Sequence, residues 1–110
     1  MDHGTLLPEH EIASCLADLN AASAQPWVRA GNAITKVYSF ADFAAAFAFM
    51  TRVAAEAECL GHHPDWRNAW NRVEVSLTTH DAGGLTGLDF RLAAAIEALS
   101  RPPGGATSRA

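Results

Sequence analysis

Gly61 and Pro64 bracket two histidines and close the longest helical pattern in the chain, and this double stop limits the possible folds more than any other feature. Upstream of it, Phe43, Phe47, Met50, Ala54 and Ala57 recur at alternating steps of four and three. That spacing predicts a helix with one continuous buried face. Ser39 and Asp42, a serine with an acid three residues on, form a capping-box-like pair at its start. Gly61 supplies a left-handed stop, and Pro64 prevents the helix from resuming. His62 and His63 therefore leave a fixed helix end into a short connection.

The flanking segments read by the same signals. Pro8 suits a first helical turn, Glu9 and Glu11 favour its positive end, and Ile12, Leu16 and Leu19 make one apolar stripe. The stretch 27–40 alternates around Gly31-Asn32, which predicts a hairpin with a short first strand. Residues 66–80 predict two more strands around Asn71-Arg72, with Val73, Val75 and Leu77 on one side and Glu74, Ser76 and Thr78 on the other. A third helix follows from Thr86, with Leu88, Leu92, Ile96 and Leu99 on one side. The order helix-strand-strand-helix-strand-strand-helix predicts an α+β fold, a four-stranded antiparallel sheet with three helices packed on one face. Residues 1–100 are expected to form a single domain, and 101–110, with little to bury, a disordered tail. A sheet this small has edges to protect, so self-association through an edge is expected.

Composition removes several function classes. The chain has 110 residues, 49% of them hydrophobic, enough for one modest core. Its formal net charge is −4, Lys36 is the only lysine, and the arginines are scattered, which argues against a phosphate-binding surface and direct nucleic-acid contact. The start lacks the basic-then-apolar pattern of a signal peptide, and the longest apolar run is far too short to span a bilayer. Cys15 and Cys59 have no metal-type spacing and are expected to be buried free thiols of a cytoplasmic protein.

His62, His63 and His80 are candidates for proton transfer, because imidazole reaches both protonation states near neutral pH. Three plainer readings compete. Adjacent histidines diverge where a helical metal pair would recur at three or four, so a metal site is disfavoured. His62 and His63 would equally serve to cap helix carbonyls. Asp89, three residues after Thr86, would cap the third helix, Glu58 would be a solvated helix residue, and Trp66 and Trp70 would pack on the sheet.

Taken together, residues 58–89 resemble the signature of the pterin-4a-carbinolamine dehydratases: Glu58, His62-His63-Pro64, Trp70, His80 and Asp89 stand in the family's register. The likeness extends over roughly residues 25–100, through the preceding strand and helix. It implies dehydration of 4a-hydroxytetrahydropterin to quinonoid dihydropterin, the recycling step for aromatic amino-acid hydroxylases, with no metal or organic cofactor. On that resemblance His62 and His80 would be general acids, and His63 would hold the pterin. Glu58, Pro64, Trp66, Trp70, Thr79 and Asp89 would make up the binding site: Glu58 and Asp89 accepting from pterin N–H groups or orienting histidines, Thr79 positioning His80. Gly61 and Leu88 depart from relatives that carry an acid and an arginine there, which bears on pterin affinity and side-chain specificity. Family members are homodimers or homotetramers. Some relatives act instead as coactivators of a transcription factor or as assembly factors, so a protein-binding role on the same fold is the alternative function. A metal-dependent hydrolase is a third.

Overall fold

The computed structural model describes residues 4–21 and 23–101; the expected tail therefore lies outside the described residues beyond Arg101. The chain runs α1 (Glu9–Asn20), β1 (Val28–Ala30), β2 (Ala33–Ser39), α2 (Phe43–Leu60), β3 (Asp65–Ala69), β4 (Arg72–Leu77) and α3 (Gly87–Ser100), with a 3₁₀ turn at His80–Ala82. The α+β order and the antiparallel sheet are those expected. Sheet order is β1-β2-β4-β3, so β2 and β4 are central and β1 and β3 are edges.

The alternation of β2 and β4 decides which face is covered. Ile34 pairs with Leu77 and Tyr38 with Val73, all buried, while Val37 pairs with Glu74 and Ser39 with Arg72 on the open face. Against the apolar face lie Ala46, Phe49, Val53 and Ala57 of α2, and Leu92, Ala93 and Ile96 of α3. Ile12 of α1 joins the same core.

The period of α2 is as expected, but its phase is not. Phe43 and Phe47, assigned above to the buried face, are 48% and 54% exposed and stack on each other 5.8 Å apart. Ala54 is exposed and Met50 half-buried. Phe49 takes the inward place, with its ring 5.1 Å from Tyr38 and 4.8 Å from Phe40. A helix apolar nearly all round has no polar side to fix its rotation, so spacing alone leaves the phase open. The cap differs too. Asp42 is the N-cap, accepting from the Ala45 N–H at 2.8 Å. Ser39 is still a strand residue, paired with Arg72.

Two further expectations are corrected. The second hairpin turns at Trp70-Asn71, because Arg72 already pairs with Ala69 in β4. Asn71 fixes the turn by accepting the Phe40 N–H at 2.9 Å and donating Nδ2–H to the Phe40 carbonyl at 2.8 Å. Neither cysteine is fully buried: Cys15 is half-buried and Cys59, two residues past inward-facing Ala57, is exposed. Partial burial, then the charges of Glu11 and Asp18, push the Cys15 thiol up.

A second polar cluster ties α3 to the sheet. The Glu97 carboxylate accepts from Ser23 Oγ (2.6 Å), Trp27 Nε1 (3.1 Å), Lys36 Nζ (2.5 Å) and the Tyr38 hydroxyl (2.5 Å). Burial alone would raise the Glu97 carboxyl, but hydrogen bonds from Lys36, Ser23 and Tyr38 and the Lys36 charge hold it below the usual range. Burial, then the hydrogen bond to Glu97 and its charge, push the Tyr38 hydroxyl far up, against a smaller opposing effect of Trp27.

Candidate active site

The end of α2 places the first two histidines. Gly61 adopts φ 64°, ψ 31°, a left-handed conformation that suits glycine. The His62 N–H then reaches back to the Ala57 carbonyl at 3.0 Å, closing a Schellman-type end. Pro64 leads directly into β3. His80 comes from the opposite direction, at the start of the 3₁₀ turn that follows β4. Gly83 ends that turn at φ 80°, and Thr79 pairs with Gly84 to close the loop.

These ends meet at one hollow of about 200 Å³, lined by Gly61, His62, His63, Thr78, Thr79, His80 and Asp81. Each histidine has a carboxylate partner. His62 Nε2 lies 2.6 Å from Asp89 Oδ1, with both side chains buried. His63 Nε2 lies 2.7 Å from Glu58 Oε2, and His80 Nε2 lies 3.1 Å from Asp65 Oδ2, both on the surface. Asp89 also accepts the Thr79 hydroxyl at 2.8 Å and the Thr86 N–H at 2.9 Å. The capping box expected at Thr86 and Asp89 is thus present, and its acid is also the partner of His62. Among the described residues no three His, Cys, Asp or Glu side chains converge to hold a metal ion. A larger hollow of about 460 Å³ lies over the Glu97 cluster. Its buried charges are already paired with each other, whereas the smaller hollow brings together side chains able to exchange protons.

The family model described as Pterin 4 alpha carbinolamine dehydratase matches residues 5–99. The chain belongs to this family. Its activity class is that of a hydro-lyase. A Solibacter usitatus protein provisionally named pterin-4-alpha-carbinolamine dehydratase is 47% identical over 96 residues, which cover 87% of this chain and 96% of that protein. One from Rhizorhabdus wittichii with the same provisional name is 61% identical over 63% of this chain and 71% of its own. Among solved structures, a transcriptional coactivator/pterin dehydratase from Brucella melitensis superposes with a TM-score of 0.74 at 41% identity, covering 86% of this chain and 97% of its own. A pterin dehydratase-like protein identified as a RuBisCO assembly factor in the alpha-carboxysome gives 0.60 at 25% identity, covering 70% and 92%.

Of the residues singled out in the sequence of this dehydratase-family chain, His62, His63, His80 and Thr79 line the hollow. Glu58 and Asp89 touch it through histidines. Trp66 sits on β3 opposite Val75 and packs against the core. Trp70 is not brought to the hollow: it is 66% exposed at the hairpin tip, while Asp65, which meets His80, stands at the other end of β3. Asp65 and Thr86 were missed as partners of the histidine set. Asp65 is one residue past Pro64, but its contact with His80 is made only by the end of β4, and no spacing announces that. No described helix is long and apolar enough to cross a membrane.

Proposed function

We propose that the protein converts 4a-hydroxytetrahydropterin to quinonoid dihydropterin and water by histidine acid–base catalysis, and so recycles the pterin used by aromatic amino-acid hydroxylases. The convergence of His62, His63 and His80 on one hollow, in a chain of this family, carries the reading. In the reaction the C4a–O bond breaks as the hydroxyl takes a proton and leaves as water. N5 gives up its proton, and its electron pair forms the C4a=N5 double bond. His62 and His80 are the proposed general acids for the two faces of the ring, and His63 holds the pterin. A well-placed acid or base contributes on the order of 10²–10⁴-fold. The reaction takes no metal or organic cofactor.

Stopped-flow dehydration of enzymatically generated substrate tests this. Wild type should turn over rapidly, equally in chelator, and a folded His62→Ala/His80→Ala variant should lose at least about 10²-fold in kcat. A wild type no faster than buffer would reject the reading.

The proposed assembly is a homodimer or homotetramer in the cytoplasm, supported by the open edges β1 and β3 and by the exposed Phe43–Phe47 pair on α2. The same aromatic face favours the second reading, a protein-binding role on this fold like those named for the two solved relatives.

A further inference from the structure

His62 alone of the three histidines has a fully buried partner, and the two oxygens of that partner are committed in different directions. Asp89 Oδ2 accepts the Thr86 backbone N–H at 2.9 Å and the Thr79 hydroxyl at 2.8 Å. Oδ1 faces His62 Nε2 at 2.6 Å. Helix capping accounts for the first oxygen only. A cap would be complete without the histidine, and the carboxylate has no exposed surface through which water could occupy Oδ1.

With Asp89 as a carboxylate, the proton directions in this cluster are forced. A backbone N–H can only donate, so the position of Oδ2 must be an acceptor. Thr86 Oγ1 accepts the Leu88 N–H at 3.2 Å and lies 2.7 Å from Thr79 Oγ1. Each hydroxyl has one proton to give. With Thr79 donating to Asp89, the contact between the threonines is satisfied by Thr86 donating to Thr79. All the protons then run toward Asp89, and its remaining oxygen takes a donor from the imidazole. A neutral imidazole that donates from one nitrogen is an acceptor at the other. Among the described residues, Nδ1 of His62 has no hydrogen-bond partner. The other titratable groups around the hollow are His63, His80 and Asp81, with Glu58 behind His63 and Asp65 behind His80.

We infer that Thr86 and Thr79, acting through Asp89, are positioning residues that fix His62 as its Nε2–H tautomer and make Nδ1 the nitrogen that exchanges a proton with the substrate. The catalytic half of this statement rests on the dehydratase reading; the tautomer does not.

Asp89→Asn gives the sharpest test. The Thr86 N–H keeps the amide oxygen at the Oδ2 position, so the amide NH₂ is turned to His62 and donates to Nε2. The ring must then carry its proton on Nδ1. Long-range ¹H–¹⁵N correlation of the His62 ring, at a pH where it is neutral, should show Nε2–H in wild type and Nδ1–H in the variant. The kcat should fall on the order of 10²-fold or more. An Nδ1–H wild type, or a variant with the wild-type tautomer, would overturn the inference.

Thr79→Val keeps the side-chain shape and removes the hydroxyl, both as donor to Asp89 and as acceptor from Thr86. Its kcat should fall about tenfold, the equivalent of one hydrogen bond to a charged group, with KM within about twofold, and Thr79→Ser should recover it. Equal kcat for Val and Thr would remove Thr79 from the positioning set, because a packing role would not distinguish them. The tautomers are read on the free protein. A wild type without turnover would therefore reject the dehydratase reading while the ring spectra still decide this one.

Discussion

At the scale of single residues, the three histidine–carboxylate pairs do different work because they differ in burial. His63–Glu58 and His80–Asp65 are solvated, and exposed pairs of this kind contribute little to stability. Their value is to orient an imidazole at the rim of the hollow. In His62–Asp89 the carboxylate has no exposed surface, so its geometry is set by the protein alone. Trp70 is the opposite case, a large ring held at φ 52°, in the left-handed region that costs a side-chain-bearing residue about 1–2 kcal/mol. Trp70→Asn, which tolerates that conformation, should raise stability by about 1 kcal/mol, read as a higher urea midpoint at unchanged slope. The grouping of His62, His63 and Asp89 with His80 was read from the family register, while those three were legible as helix-end residues from Gly61, Pro64 and Thr86. The strained tryptophan was not: its conformation is imposed by Asn71 bonding to Phe40, thirty-one residues away.

At the scale of elements, α3 is anchored at both ends by carboxylates. Asp89 holds its first turn, and Glu97 binds its last turn to β2 and to the segment before β1. Lys36→Met would leave Glu97 buried without its cation and should destabilise the fold by about 3–5 kcal/mol in a urea titration. The same cluster sets a pH window. Glu97 is depressed from its ordinary 4.5, so its contribution is present above that value and is lost as pH falls through the folded value. Tyr38 is raised from 10.0, so its contribution is present below that pH and is lost on going more alkaline. Urea midpoints should therefore decline on both sides of a plateau, and the alkaline decline should shrink in Tyr38→Phe, leaving the smaller part due to Cys15. Helix ends were readable from Gly61 and from Thr86 with Asp89, since local chemistry decides where a helix stops. The rotation of α2 was not, because alanine fits either face and only the ring of Phe49 between Tyr38 and Phe40 settles it. The Glu97 anchor was equally hidden, as its donors come from β2 and from the segment before β1, both far from it in sequence.

At the scale of the whole molecule, one face of the sheet is covered by helices and the other is open, with two edge strands unpaired. For the proposed homo-oligomer, the exposed Phe43–Phe47 pair is the largest apolar feature on α2. Phe47→Glu should lower the molar mass in sedimentation equilibrium while leaving the far-ultraviolet spectrum unchanged. An unchanged mass would move the contact to a sheet edge. The alternation of the strands made the covered face legible from sequence, whereas no period in α2 marks Phe43 and Phe47 as the rings left outside.

The shared acid at the start of α3 links two properties that are usually tuned separately. A helix frays first at its terminal turns, and the carboxylate that closes this turn also holds the imidazole. Fraying there would release the ring with the backbone still largely folded. On warming, or under a destabilising mutation anywhere along α3, turnover would fail before the rest of the domain melts. On the dehydratase reading, that one helical turn would limit the working temperature before the core does.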